Sequence, residues 1–487
     1  MNSDYVGLFF ALRPEMALVL GAVAVLGLDL SVFRRRSHEA RLNFALVPGA
    51  LAVLGAMAAV WFGAHGPVFG DVLIFDQLAI ATRLGVLGLT LLAFGVVSAA
   101  PVPRHPAEYV AVILFAATGL LLMAAAQQLL LAFLALELAS LSLYLLAGFD
   151  KSQPESAEAA LKYFLFGGMS AAFLLFGFSL IYGLTGSIEL PQIATQLLAQ
   201  RLSPLLIVAL VMVLVAFGFK VAAAPFHLWA PDVYQGAPTA SAAHIASASK
   251  LASFAFFVRL LWPGFRAVAG HVAIAQGVAG WLPVVAAMSA ASLLLGNFGA
   301  LAQTNVRRLL AYSAIAHAGA LLLGVIAVGQ AGPAPLFYYA ATYGLATVGA
   351  FGVIAAVERA GGCKKITDLA GLHRRSPLLA ACLAVFILSL AGIPPLAGFF
   401  GKFVVFAAAL QLGGLANFAG WLALLAIFLS AVALYYYLQI LKQALVAAPA
   451  ENVPKITVPP LAGLTLLTIA ALIVLFGVFP SLLLELF

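Results

Sequence analysis

Charge is scarce in this 487-residue chain: aspartate, glutamate, lysine and arginine supply 8% of it, against 64% hydrophobic residues and a mean hydropathy of +1.12. Soluble globular domains carry about 25% charged residues, so folding in water is excluded and the bilayer is the solvent. Cysteine is nearly absent: Cys363 and Cys382 are too few and too scattered for a disulfide framework, an iron–sulfur cluster or a zinc site. No metal site of the chain's own is expected. The chain also lacks a glycine-rich phosphate loop of either common pattern, which excludes ATP hydrolysis and direct nicotinamide binding as its energy source. Its net charge of +7 is dispersed over separate short loops, which sets nucleic acid aside as a partner.

What is present is a succession of apolar runs, each near the roughly 20 residues that cross a bilayer. About fourteen spans are expected in an all-α polytopic membrane protein: 6–33, 43–63, 73–99, 108–126, 128–149, 157–184, 204–229, 238–262, 276–302, 306–328, 334–358, 377–410, 417–444 and 461–485. The first has no basic leader with a small-residue cleavage pattern and reads as retained. Basic residues follow the odd-numbered spans: Arg34, Arg35, Arg36 and Arg41 after the first, Arg104 after the third, and Lys151 and Lys162 after the fifth. Arg307 and Arg308 follow the ninth, Arg359 and Lys364 through Arg375 the eleventh, and Lys442 and Lys455 the thirteenth. Short basic loops stay in the cytoplasm, so both termini are expected on the periplasmic side of a bacterial inner membrane.

Spans 4–8 and 9–13 form two halves of similar length, each with one proline-interrupted helix, the pattern of inverted repeats around an ion site. The expected divisions are 1–104 (spans 1–3), 105–262 (first repeat), 263–445 (second repeat) and 446–487 (a linker from about Ala447 to Pro460, then the last span). In span 7, Pro225 deprives the Val221 carbonyl of its helical donor, just after Lys220. In span 12, Gly392, Pro394 and Pro395 do the same, and 377–410 as one straight helix would run about 50 Å, too long for a 30 Å core. The segment Glu189–Arg201 has a helical apolar stripe but is too short and polar to span, and is expected to lie along the outer interface.

Four ionisable residues sit at membrane depth: Glu137, Lys220, Lys250 and Lys402. Each costs roughly 2.5–3.5 kcal/mol on insertion scales, which points to a pathway or relay rather than to packing. A carboxylate moved to about 4 Å from a lysine changes their interaction by about 4 kcal/mol at an effective dielectric near 20. Driving one charge against 100 mV takes about 2.3 kcal/mol, so one toggled Glu–Lys contact is on the scale needed to load and expel a proton. His227, His317 and His244 are further relay candidates, although His244, six residues from Lys250, lies more nearly opposite it than stacked on it. Ser142, Tyr144, Ser247, Ser249, Ser313 and Tyr343 are placed to hold connecting waters; Asp150, Glu155, Glu158 and Asp232 read as solvated or capping groups, and His105, His271 and His373 as loop residues.

The stretch FGFKVAAAPFHLWAPDVYQGAPT at 217–239 resembles the seventh-helix signature of the antiporter-like subunits of respiratory NADH:quinone oxidoreductase, complex I. Its ending DVYQGAPT is similar to the N-type (ND2-like) subunits, and LELASLSLYLLAGF at 136–149, NVRRLLAYSAIAHAG at 305–319 and GIPPLAGFFGKF at 392–403 support the same family. The resemblance implies a proton-translocating subunit in which Glu137 and Lys220 form a modulating pair, Lys250 the central relay and Lys402 the group facing the periplasmic exit. Lys402 separates the chain from the M-type subunit, which carries glutamate there, and the lack of a long helix after the last span separates it from the L-type; His244 departs from the family, which has an apolar aromatic there. The resemblance further implies that flavin (FMN), iron–sulfur clusters and quinone belong to partner subunits, with no cofactor in this chain. The partners implied are the M-type subunit and small membrane subunits. Two other readings fit the buried charges: a cation/proton antiporter subunit driven by ion gradients, and a scaffold that completes a membrane arm.

Overall fold

The computed structural model describes residues 5–199, 202–273, 278–448 and 455–487. Long apolar runs with few charges fold as helices because in hydrocarbon every backbone N–H and C=O must be satisfied within the segment. The crossings are α1 (Arg13–Phe33), α2 (His38–Trp61), α3 (Gln77–Ala99), α4 (Pro106–Ala125), α5 (Leu129–Ala147), α6 (Pro154–Thr185), α7 (Pro204–Lys220) and α8 (Thr239–Gly264). They continue as α9 (Trp281–Leu301), α10 (Val306–Ala331), α11 (Ala334–Gly361), α12 (Pro377–Ala391), α13 (Ala397–Gln411), α14 (Phe418–Leu445) and α15 (Pro460–Val478). Among the described residues twelve are long enough to cross a membrane; α7 is completed by the short helix Trp229–Gly236, and α12 with α13 makes one broken crossing. That agrees with the fourteen spans expected. Residues 449–454, in the expected linker, residues 200–201, at the end of the expected interfacial segment, and residues 276–277, at the start of span nine, lie outside the described residues.

Two local features depart from the expected all-helical chain. A two-stranded antiparallel hairpin, Gly66–Val68 with Leu73–Phe75, links α2 to α3. Helix α8 is itself interrupted at Ser247, whose φ of −116° and ψ of −80° separate Thr239–Ala246 from Ala248–Arg259. The expected interfacial segment is the helix Leu190–Leu198, which buries Leu190, Ile193 and Leu197 along one side.

Helices α8, α10 and α11 are buried along almost their whole length, whereas α1, α2, α6 and α15 leave most of their surface outward. Lys250 and His244 on α8 and His317 on α10 therefore lie on helices shielded from the outside, whereas Glu137, Lys220 and Lys402 lie on α5, α7 and α13. Helices α9 and α10 approach closely because Gly296 and Gly319 face each other's partner helix without side chains: a Cβ on Gly296 would lie 2.4 Å from Ala316 N, and one on Gly319 2.8 Å from Leu293 N. Small residues at contacts are how helices pack without a hydrophobic drive between them.

Both expected breaks are present, and each satisfies its freed backbone groups with side chains. Helix α7 stops at Lys220, before Pro225, and Ala222 takes a left-handed φ of +57°. Ala224 N donates to Ser292 Oγ at 2.8 Å and Trp229 Nε1 donates to Phe219 O at 2.9 Å. At the second break Gly392 adopts φ +87°, Gly398 N donates to Ser389 Oγ at 3.1 Å, and Lys402 Nζ donates to Ala391 O at 2.9 Å.

Candidate functional site: a polar axis through the helices

Lys220 is brought to α7's last turn by the break that follows it, and its ammonium is buried. Nζ donates to Ser140 Oγ at 2.8 Å, while the Ser140 hydroxyl donates to Leu136 O at 2.6 Å, leaving its lone pairs for the lysine. Glu137 lies one helical turn before Ser140 on α5 and makes no ion pair with Lys220 within 4.0 Å. Its Oε1 has no hydrogen-bond partner in the protein. The carboxyl is half-buried on an outward stripe of α5 that also carries Leu134 and Leu141, 56% and 49% exposed. The expected Glu137–Lys220 pair is thus not a direct ion pair: Ser140, one turn along α5 from Glu137, holds the ammonium.

Lys250 lies three residues after the interruption at Ser247, wholly within the core. Its Nζ donates to Ala314 O at 2.5 Å and sits 5.4 Å from the centroid of the Tyr343 ring, a cation–π geometry. Tyr343 in turn lies 4.8 Å, centroid to centroid, from the imidazole of His317, one turn beyond Ala314 on α10. His317 Nδ1 is 2.7 Å from Tyr339 OH and Nε2 is 3.1 Å from Tyr437 OH, and Tyr437 OH also hydrogen-bonds Ser313 Oγ. A neutral imidazole between two phenols accepts from one and donates to the other. Beyond it a cavity of about 20 Å³, room for a single water, is lined by Asn297, His317, Tyr339, Lys402, Ser430 and Tyr436. Lys250 thus meets His317 through the Tyr343 ring, and Lys402 shares the small cavity with His317 and Tyr339, while its Nζ bonds Ala391 O.

Among the described residues no hydrogen bond joins the Lys220 and Lys250 sectors. Helices α7 and α8 meet there through Phe217, whose ring lies 5.5 Å from Phe256 and 4.9 Å from Phe257. His227 stands apart from both lysines: it is buried in the first break, with exposed Pro225 and Leu228 beside it, and its Nδ1 is unpartnered by protein groups. His244 is fully buried on α8 and neither ring nitrogen has a protein partner. Ser142 serves its own helix, donating to Leu138 O at 2.8 Å. Asp232, expected as a solvated cap, instead accepts from Lys162 Nζ at 2.6 Å and Arg308 Nη1 at 2.5 Å, tying α6 and α10 to the short helix after the break.

At the end of the bundle carrying the basic loops, two cavities of about 680 and 360 Å³ share Asp150, Pro238 and Glu358. Thr239 Oγ1 hydrogen-bonds Glu358 there, and Arg307 Nη1 donates to Thr239 Oγ1 and Ala237 O, each at 3.0 Å. Tyr109, on the wall of the larger cavity, is 2.7 Å from Ser241 Oγ, the residue one turn before His244. Sequence reasoning did not single out Ser140, Ser241, Tyr109, Tyr339, Tyr437 or Asn297. The first two carried a signal, a hydroxyl one turn from Glu137 and from His244; the tyrosines were indistinguishable from packing aromatics.

Residues 126–433 match the family model described as NADH:quinone oxidoreductase/Mrp antiporter, transmembrane. The chain is 48% identical over 481 residues to NADH-quinone oxidoreductase subunit N 2 of Acidobacterium capsulatum, covering 97% of each chain. A chain of respiratory complex I from Thermus thermophilus with bound aureothin superposes with a TM-score of 0.78 at 34% identity, covering 97% of this chain and 98% of that one. A chain of the Mrp complex from Dietzia shares the fold, with a TM-score of 0.76 at 23% identity over 100% of this chain and 96% of that one.

Proposed function

Because this chain belongs to the NADH:quinone oxidoreductase/Mrp antiporter transmembrane family, among its N-type subunits, we propose that it translocates protons as a membrane-arm subunit of NADH:quinone oxidoreductase. Redox chemistry in partner subunits supplies the energy, and this chain has no redox centre of its own. The observation that carries this reading is the set Lys250, Tyr343, His317, Tyr339 and Lys402, which leads from the end of the first half into the second through groups that all exchange protons.

Protons enter from the cytoplasmic cavity. Tyr109 on its wall meets Ser241, and Ser241, His244, Ser247 and Lys250 follow at three-residue intervals along α8, with the interruption at Ser247 between His244 and Lys250 and waters completing the path. A buried histidine without a protein partner calls for such waters. His317, held between its two phenols, then hands the proton toward Lys402, whose ammonium lies at the second break and faces the periplasmic exit. Lys220, Ser140 and Glu137 form the modulating group: moving the Glu137 carboxylate toward Lys220 raises the affinity of that lysine for its proton and biases Lys250 electrostatically. His227 contributes to the first half from within its break.

In this reading 105–262 and 263–445 are the two inverted repeats, and both termini face the periplasm of a bacterial inner membrane. The M-type subunit and small membrane subunits flank the chain. The ion-gradient alternative has less support, since the Mrp likeness extends to fold alone at 23% identity whereas the complex I chain stands at 34%. A mild-detergent pull-down of the tagged chain from native membranes tests the assignment: co-recovery of NADH:quinone reductase activity and bound flavin is expected. Recovery of other membrane subunits alone, from a preparation in which complex I survives the detergent, contradicts it.

A further inference from the structure

Away from the polar axis, α3, α11 and α15 part around an apolar crevice of about 460 Å³. Helix α3 lines it with Ile80, Leu84, Gly88 and Leu92, at successive intervals of four, while Leu345 of α11 and Leu472 of α15 face them. No Asp, Glu, Lys or Arg lines it; its polar groups, Trp61, His65 and Gln77, gather at the end opposite the arginine-bearing α1–α2 loop. From Gln77 to Leu92 the wall runs fifteen residues, about 22 Å. That equals half of a bilayer of about 40–45 Å including its headgroups.

The polarity and length fit one amphiphile of one leaflet, with hydrogen-bonding and aromatic groups where a headgroup sits and carbon alone below. At about 460 Å³ the crevice is a groove open along one side, with room for an acyl chain between its walls. We propose that this crevice is a binding site for one phospholipid, its acyl chain lying along α3 and its headgroup at Trp61, His65 and Gln77. The deep wall includes Leu251, buried and adjacent to Lys250, so the seated chain supports α8 where the relay lysine emerges. The inference is independent of the relay reading and survives its failure.

Gly88 gives the test, because a Cβ built there meets no heavy atom within 4 Å and a larger side chain enters the crevice without disturbing the helix contacts. The intact complex is reconstituted with a phosphatidylethanolamine carrying a diazirine in its acyl chain, or separately with a diazirine-bearing isoprenoid quinone, and cross-linked peptides are mapped. Acyl cross-links are expected on the α3, α11 and α15 walls, falling about tenfold in Gly88→Leu and persisting in Gly168→Leu, an equally open glycine on α6. If Gly88→Leu fails to assemble, Ala341→Leu from the opposite wall is expected to give the same loss. Labelling unchanged by the filling variants, labelling no denser than on the outward leucines of α5 and α6, or capture of the quinone probe in preference to the phospholipid would overturn the proposal.

Discussion

Lys220 donates to Ser140 at 2.8 Å, and Ser140 stands one turn from Glu137, so the serine sets where the ammonium waits relative to the carboxylate. A hydrogen bond to a charged group is worth about 1.5–3 kcal/mol, comparable to the work of moving one charge through 100 mV. Ser140→Ala is expected to lower the protons pumped per electron pair while leaving the complex assembled, and Ser140→Thr to restore them. Dye-reported proton uptake by inverted vesicles during NADH oxidation reads the difference.

Tyr437 is the shared partner of His317 and Ser313. Tyr437→Phe leaves the imidazole Nε2 with no protein partner and is expected to slow pumping-coupled turnover roughly tenfold, equivalent to about 1.4 kcal/mol of barrier. Tyr436→Phe, which removes the hydroxyl that donates to Asn297 at 3.2 Å but leaves both bonds of His317 in place, is expected to cost less. Coupled NADH oxidation rates of the two variants, compared side by side, provide the check.

Helix α15 closes over the second break at Gly477, where an added Cβ would lie 2.0 Å from Pro395 O and 2.7 Å from Ala397 N. These are backbone atoms of the break and yield little. Gly477→Ala is expected to destabilise the subunit by about 1–3 kcal/mol. A lowered melting temperature of the purified complex by light scattering is the measurement, and a wild-type midpoint would show that the break adjusts freely.

Cys363 lies in the loop after α11, fully buried, and burial together with Asp368 and Glu358 pushes its thiol up to about 12. Since the thiolate is the nucleophile and its pKa lies above the working range, it is scarce below that value, on the order of one part in 10⁴ at pH 8. Maleimide is expected to leave Cys363 unmodified at pH 8 in the folded subunit and to label it after denaturation, by peptide mass mapping.

The membrane class, the number of spans and both proline breaks were legible because they rest on chemistry that acts locally: apolar length, and a ring nitrogen that cannot donate. Glu137, Lys220, Lys250 and Lys402 stood out for the cost of holding charge at that depth. Ser247 interrupts α8 with neither glycine nor proline, so nothing local announced it. Tyr339, Tyr343 and Tyr437 converge on His317 from α11 and α14, and one sequence contains no inter-helix distances. The same blindness hid the separation of Glu137 from Lys220 and the ion pairs of Asp232, which depend on where distant helices cross.

Lys250 lies on α8 between Ser241, beside the cavity at the basic-loop end, and the His317 cluster, so the most direct measurement is the number of protons pumped per electron pair with Lys250→Met in the assembled complex. Methionine keeps the length of the side chain and removes the exchangeable proton. Retained NADH:quinone electron transfer with a reduced proton count is the predicted result. An unchanged proton count in a fully assembled Lys250→Met complex would contradict the relay.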